Sequence, residues 1–310
     1  MSSSPVGLAG VVTPLLIVLG SCIGPAVAQP VALKSAPPIT APMVVAAGTA
    51  SESAPARVTL TIDDVGAQQG SLLHGQVVPA TATLTLDGAA ITVADDGHFI
   101  IGFDRDAVGT RLLAASAGAA TQERNITIAP RLWAIQNIDA AMRGGAASDA
   151  DFERRRPAEL AQMGAARRTI VTSEGWRQRF VWPVRGRISG VFGSQRVYRG
   201  VPSSFHNGVD VAVPSGTAYV APADGVVILA ATTPFTLEGY LLMVDHGMGL
   251  SSVFLHSSRL DVRTGDVVVQ GQRLGAVGAT GRATGPHMHW AMRWNGAKID
   301  AAQVAGPMTR

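Results

Sequence analysis

From Phe180 onward no apolar run has the length or the period of a core helix. Short apolar stretches such as GVDVAV (208–213), LLMVDHG (241–247), SSVFLH (251–256) and HMHWAMRW (287–294) are separated by glycine-bearing turns. Runs of this length bounded by glycine read as strands. The expected fold of residues 181–310 is therefore all-β or nearly so.

The earlier half repeats the theme with a cleaner alternation. Val58, Leu60 and Ile62 alternate with Thr59 and Thr61, and Leu84 and Leu86 alternate with Thr83 and Thr85. Ile91 and Val93, then Phe99, Ile101 and Phe103, then Ile126 and Ile128 continue the pattern. Period two is the signature of half-buried strands. Asp87-Gly88 and Asp96-Gly97 fall between such runs, where a tight hairpin needs positive φ. A small β-sandwich is expected over 57–129. With 47% hydrophobic and 15% charged residues, the chain has the material for real cores.

Between these halves, residues 130–180 read as a connector with one or two short helices. Acidic residues come early (Asp149, Asp151) and Arg154, Arg155, Arg156, Arg167 and Arg168 later, the order that a helix dipole favours. Pro157 is expected to end or kink any helix there, and the arginines are expected on a solvated face. Ahead of the sandwich, residues 29–56 form an Ala/Pro/Ser-rich spacer. Residues 1–28 read as a signal peptide: an apolar run over 11–24, then Ala26-Val27-Ala28, a cleavage pattern before Gln29. Leu19-Gly20-Ser21-Cys22 offers a competing lipobox, and an uncleaved anchor is the third reading. Each of the three exports the remainder, and the membrane is a partner only if Cys22 is lipidated or the signal is retained. Export to a periplasm or cell envelope is the expected localisation.

The chemistry concentrates after residue 205. His206 and Asp210 lie four apart in SFHNGVDVAVP, His287 and His289 two apart in HMHW, and His256 in VFLHSS. Side chains two apart on a strand share a face. Two such imidazoles near a third and a carboxylate form a set that zinc accepts, with three N or O ligands and a position left for water. Five candidates serve three ligand positions and a small catalytic group, and spacing alone does not divide the roles. The lone cysteine, Cys22, excludes a thiolate site and a cysteine nucleophile. No His-Glu-x-x-His or Gly-x-Ser-x-Gly occurs. Asp63-Asp64 and Asp95-Asp96 are adjacent and face opposite sides of a strand, unlike a glycosidase pair. A net charge of +3 without basic-aromatic interleaving gives no nucleic-acid footprint. His74 and His98 are solitary.

The stretches WPVRGRISGVFGSQR, FHNGVDVAVPSGTAYVAPADGVV, LLMVDHGMGLSSVFLHSS and VVVQGQRLGAVGATGRATGPHMHW, followed by RWNG, occur in an order that resembles the lysostaphin-type (LytM-like) zinc metallopeptidases across about residues 182–300. The resemblance implies a two-sheet β domain with a groove and cleavage of peptide bonds in peptidoglycan. It implies one Zn2+ per chain held by His206, Asp210 and His289, with His287 and His256 as catalytic histidines and peptidoglycan peptides as substrate. Tyr198 and Tyr240 become candidates to line the groove, and His246 is expected to be structural. Members with lost ligands act as silent wall-binding regulators. Here every matched ligand is present, which favours the enzyme. The N-terminal half lies outside the resemblance and is expected to place or restrain the groove, so that the chemistry survives without it.

Overall fold

A computed structural model describes residues 57–63, 66–140 and 150–309. The expected signal, the spacer and Cys22 lie outside these residues. Among those described, strands dominate, and no helix is long and apolar enough to cross a membrane.

Residues 57–129 build two antiparallel sheets. One holds Thr59–Ile62, Leu72–Val78 and His98–Gly102; the other holds Ala89–Ile91, Thr83–Leu86, Thr110–Ala117 and Ala120–Thr127. Leu60, Leu73, Phe99, Ile101, Leu84, Leu113 and Ile126 from the two sheets are buried in one cluster, as the alternation required. Asp87 and Gly88 both adopt positive φ and close the 83–91 hairpin. At Asp96-Gly97 only Gly97 does so, because Ala94 and His98 are the paired ends and the turn is wider than the dipeptide implied.

The C-terminal half is built on an eight-stranded sheet. Its order runs Val267–Val268, Gly225–Ala230, Tyr240–Asp245, Leu250–Ser257, Met288–Trp294, Val209–Ala212 and Arg187–Gly190, with Ala297–Ile299 paired to Met288–Trp294. A second sheet of Ala218–Val220, Arg273–Ala276 and Arg259–Leu260 covers one face. Tyr219 of the small sheet stacks on Phe254 of the large one, and Trp290 and Met292 are buried on the same side. The mainly β, two-sheet expectation agrees with this architecture.

The connector differs from expectation. Ile135–Ile138 is a strand, parallel to Gln195–Tyr198. Ala150–Arg167 is a single helix that runs through Pro157 instead of ending there. Tertiary anchors on both sides of the proline hold it. Arg155 donates to the Pro234 carbonyl, Arg156 pairs with Glu238, and the Glu159 carboxylate accepts from Thr236 N and Oγ1. Arg155 and Arg156 therefore bind inward, while Arg154, Arg167 and Arg168 stay exposed. Further along, Met163 and Ala166 are buried with Ile228, Phe235, Leu241, Met243, Val253 and Ala291 in a second core on the uncovered face of the large sheet. The connector and that sheet thus share a core across residue 180. Arg131 with Asp300, and Arg105 with the Gly193 carbonyl, tie the first two sheets to the same unit.

Candidate metal centre

The register of the large sheet assembles the centre. Asp210 lies directly opposite His289 in the antiparallel pairing of Val209–Ala212 with Met288–Trp294, so their side chains share a face. Leu255 flanks His289 on the other side. His287 precedes the strand and stays on His289's side by the two-residue period. His206 comes from the loop before Val209–Ala212, and its backbone N–H bonds to the Ser194 carbonyl.

Three ligand-type atoms converge. His206 Nε2 is 3.0 Å from Asp210 Oδ1 and 3.1 Å from His289 Nδ1, and His289 Nδ1 is 2.8 Å from Asp210 Oδ1. Bonds of about 2.0–2.1 Å to a tetrahedral zinc separate ligand atoms by about 3.3 Å, so the spacing suits that ion. His206 Nδ1 donates to the Val191 carbonyl at 3.0 Å, which leaves Nε2 as a lone pair aimed inward. Facing acceptors repel unless they share a cation, either a proton on a ring or a metal. The donor set fits zinc on this ground. Burial opposes the charge on Asp210, yet the adjoining His206 and His289 rings hold its carboxyl far below the usual range. Burial lowers His206 and the Asp210 partnership outweighs it, for a net rise, whereas His289 is pushed down by burial.

Two glycines permit the close approach. A methyl at Gly208 would lie 2.7 Å from His289 Nε2, and one at Gly190 would overlap Asp210 Oδ2.

The other two histidines border this cluster. The His256 and His287 rings lie 5.0 Å apart, and His287 Nε2 is 3.7 Å from Asp210 Oδ1. Each Nδ1 donates to a carbonyl at 2.8 Å, Thr280 for His256 and Gly285 for His287, so both present Nε2 to the site. Burial, with repulsion from His287 and His289, lowers His256. All five residues singled out from the sequence are thus together. Tyr240 starts the strand beside His256, paired with Ser257, while Tyr198 belongs to the small sheet with Val201–Pro202 and Ile135–Ile138. Among the described residues no hydrogen bond or ring contact links either phenol to the cluster. His246 is fully buried elsewhere, with Nδ1 on the Asp224 carbonyl and Nε2 on Ser252 Oγ. His74 and His98 lie in the first sheets, apart from the site. The turn that starts at Thr280 reads from the sequence as a positioning element for the His-x-His strand; sequence reasoning missed its hold on His256 and missed the Glu238 loop altogether. The pairing of Glu238 with Arg156 spans 82 positions and leaves no local signal.

Known proteins resemble the segment that holds this centre. The model of peptidase family M23 matches residues 204–301, which contain all five residues. The chain carries a peptidase family M23 domain. The chain is 36% identical over 135 residues to the peptidoglycan DD-endopeptidase ShyA of Vibrio cholerae, covering 42% of this chain and 30% of that protein. It is 37% identical over 125 residues to the DD-carboxypeptidase/endopeptidase Mpg of Neisseria meningitidis serogroup B, covering 39% of this chain and 27% of that protein. The chain spans under a third of the length of these two relatives. A Pseudomonas aeruginosa crystal structure assigned to peptidase M23 superposes with a TM-score of 0.59 at 29% identity, covering 77% of this chain and 95% of that one. Likeness to that structure reaches well outside 204–301, into the sheets that precede the M23 domain.

Proposed function

We propose that this chain is an exported zinc metalloendopeptidase that hydrolyses peptide cross-links of bacterial peptidoglycan. His206, Asp210 and His289 are its metal ligands, and His287 and His256 handle protons. The observation that carries this reading is three acceptor atoms within 3.1 Å of one another, beside two imidazoles with committed Nδ1 atoms. Relatives named as peptidoglycan endopeptidases support the substrate class.

Zinc held there would supply Lewis acidity toward the scissile carbonyl and a nucleophilic water. His287 Nε2 is free to take the proton of the attacking water. His287 Nε2 lies 3.7 Å from Asp210 Oδ1, beside the ligand set, from where the proton passes to the leaving amine. His256, kept neutral by burial, presents Nε2 as an acceptor that orients the same water. It becomes a donor to the oxyanion only after gaining a proton. Tyr240, next to His256 across the strand pair, is placed to border the groove, with Tyr198 as the more distant candidate. Export rests on the apolar run and the Ala26-Val27-Ala28 pattern, and the wall peptides are the partner.

Removing one ligand tests the assignment. Asp210→Ala is expected to lose zinc on dialysis, since two imidazoles hold it poorly, while the wild type keeps one ion per chain by elemental analysis. An Asp210→Ala chain with full zinc occupancy sinks the ligand set.

A further inference from the structure

His256 stands where simple alternation would not put it. Phe254 packs on Tyr219, and Ser257 Oγ bonds to the Tyr219 hydroxyl, so both face the small sheet although they are three residues apart. Leu255, opposite His289, packs with the second core on the other face. Both Leu255 and His256 must therefore lie on the metal-centre face. A break in register between Tyr240 and Leu242 and a φ of 63° at His256 accomplish this. That φ lies in the left-handed region, which is uncommon for residues other than glycine. Bulges of this kind re-aim side chains beside sites.

Two loops do the holding. The His256 N–H donates to the Glu238 carbonyl at 2.8 Å, and Nδ1 donates to the Thr280 carbonyl at 2.8 Å. The loops are laced together: Arg282 N donates to the Leu237 carbonyl, and Tyr240 N donates to Thr280 Oγ1. The grip on the Glu238 loop comes from the helix Ala150–Arg167. Arg156 forms a two-pronged pair with the Glu238 carboxylate at 2.6 and 2.9 Å, with the two side chains only 17% and 15% exposed. Two residues away, Glu159 accepts from Thr236 N at 2.8 Å and Oγ1 at 2.6 Å. Charge-assisted, bidentate pairs out of water fix geometry better than exposed ones.

We infer that Arg156 is a positioning residue for His256, acting through Glu238 from outside the M23 segment. The inference rests on the proposed peptidase reading, in which His256 handles a proton. The helix lies beside the metal centre on the same sheet face, so it could instead obstruct the groove; the two roles predict opposite signs.

The test uses the full zinc-loaded chain with Arg156→Ala, Arg156→Lys, Glu238→Gln and the double variant Arg156→Ala/Glu238→Gln. On soluble cross-linked wall peptides, Arg156→Ala and Glu238→Gln should lower kcat by about tenfold or more, with KM within about twofold and zinc content unchanged. Arg156→Lys should recover part of the loss, since it keeps the charge but not the fork. The double variant should be no worse than either single one. Arg154→Ala, whose side chain is 71% exposed, should leave kcat as it was. Ring signals of His256 in heteronuclear NMR should shift in Arg156→Ala while those of buried His246 stay. That readout stands even if the wild type cleaves nothing, the result that would end the peptidase reading. If Arg156→Ala does not fold, Glu238→Gln, which keeps the side-chain volume, is decisive. Unmoved His256 signals overturn the inference. A rise in kcat also overturns it and makes the helix an obstruction.

Discussion

Truncating Met163 to alanine should destabilise the whole unit, although the residue lies outside the M23 segment. Met163 is 4% exposed and packs with Ala166 against Phe235, Leu241, Met243, Val253 and Ala291 of the large sheet. Large-to-small changes at such sites cost about 2–5 kcal/mol, because the lost transfer energy is joined by an unfilled cavity. In a unit of this size that corresponds to a fall in Tm of about 5–15 °C. Urea unfolding of the zinc-loaded chain, followed by tryptophan fluorescence, measures it. A loss below about 0.5 kcal/mol, the range of surface substitutions, would mean that the helix merely rests on the sheet. The same packing bears on a chain that begins at Ile170. It would uncover several of these apolar side chains, at about 1.5–3 kcal/mol each, which is comparable to an entire domain's stability. Such a chain is expected to bind hydrophobic dyes and to aggregate, contrary to the independence that the spacing of catalytic residues alone implied.

Two other outcomes follow from the centre and its surroundings. His287→Ala should keep zinc yet lose about 10²–10⁴-fold in kcat, as expected for a proton-transfer group, and loss of zinc with activity would make His287 a ligand. Burial pushes His246 down to about 4 from its ordinary 6.5. Its folded pKa is depressed, so the stability it contributes is complete above pH 6.5 and is lost as pH falls toward 4, by about 3 kcal/mol. His246→Gln should lose correspondingly less over that window in urea melts; equal losses in the two chains would contradict the buried neutral ring.

The strands and the five polar residues of the centre were legible because both follow local rules. Alternation in 58–62 and 83–86 marks half-buried strands, and His287 and His289 share a face by the same period. The side that His256 faces was not legible, since a bulge and a left-handed residue reverse the alternation. Pro157 misled because its local effect is overridden by contacts to Pro234, Thr236 and Glu238, nearly eighty positions away in sequence. Ile135–Ile138 carries no alternating pattern of its own and becomes a strand only by pairing with Gln195–Tyr198.

Digestion of purified sacculi by the zinc-loaded chain, with mass spectrometry of the released fragments, reads the bond that is cut. Cross-linked peptides separated at an amide are expected, with glycan strands and the link from sugar to peptide intact, and no release from the Asp210→Ala chain. Fragments with new reducing sugar ends, peptides freed from the sugar, or cross-links left whole by a fully zinc-loaded chain would contradict this expectation.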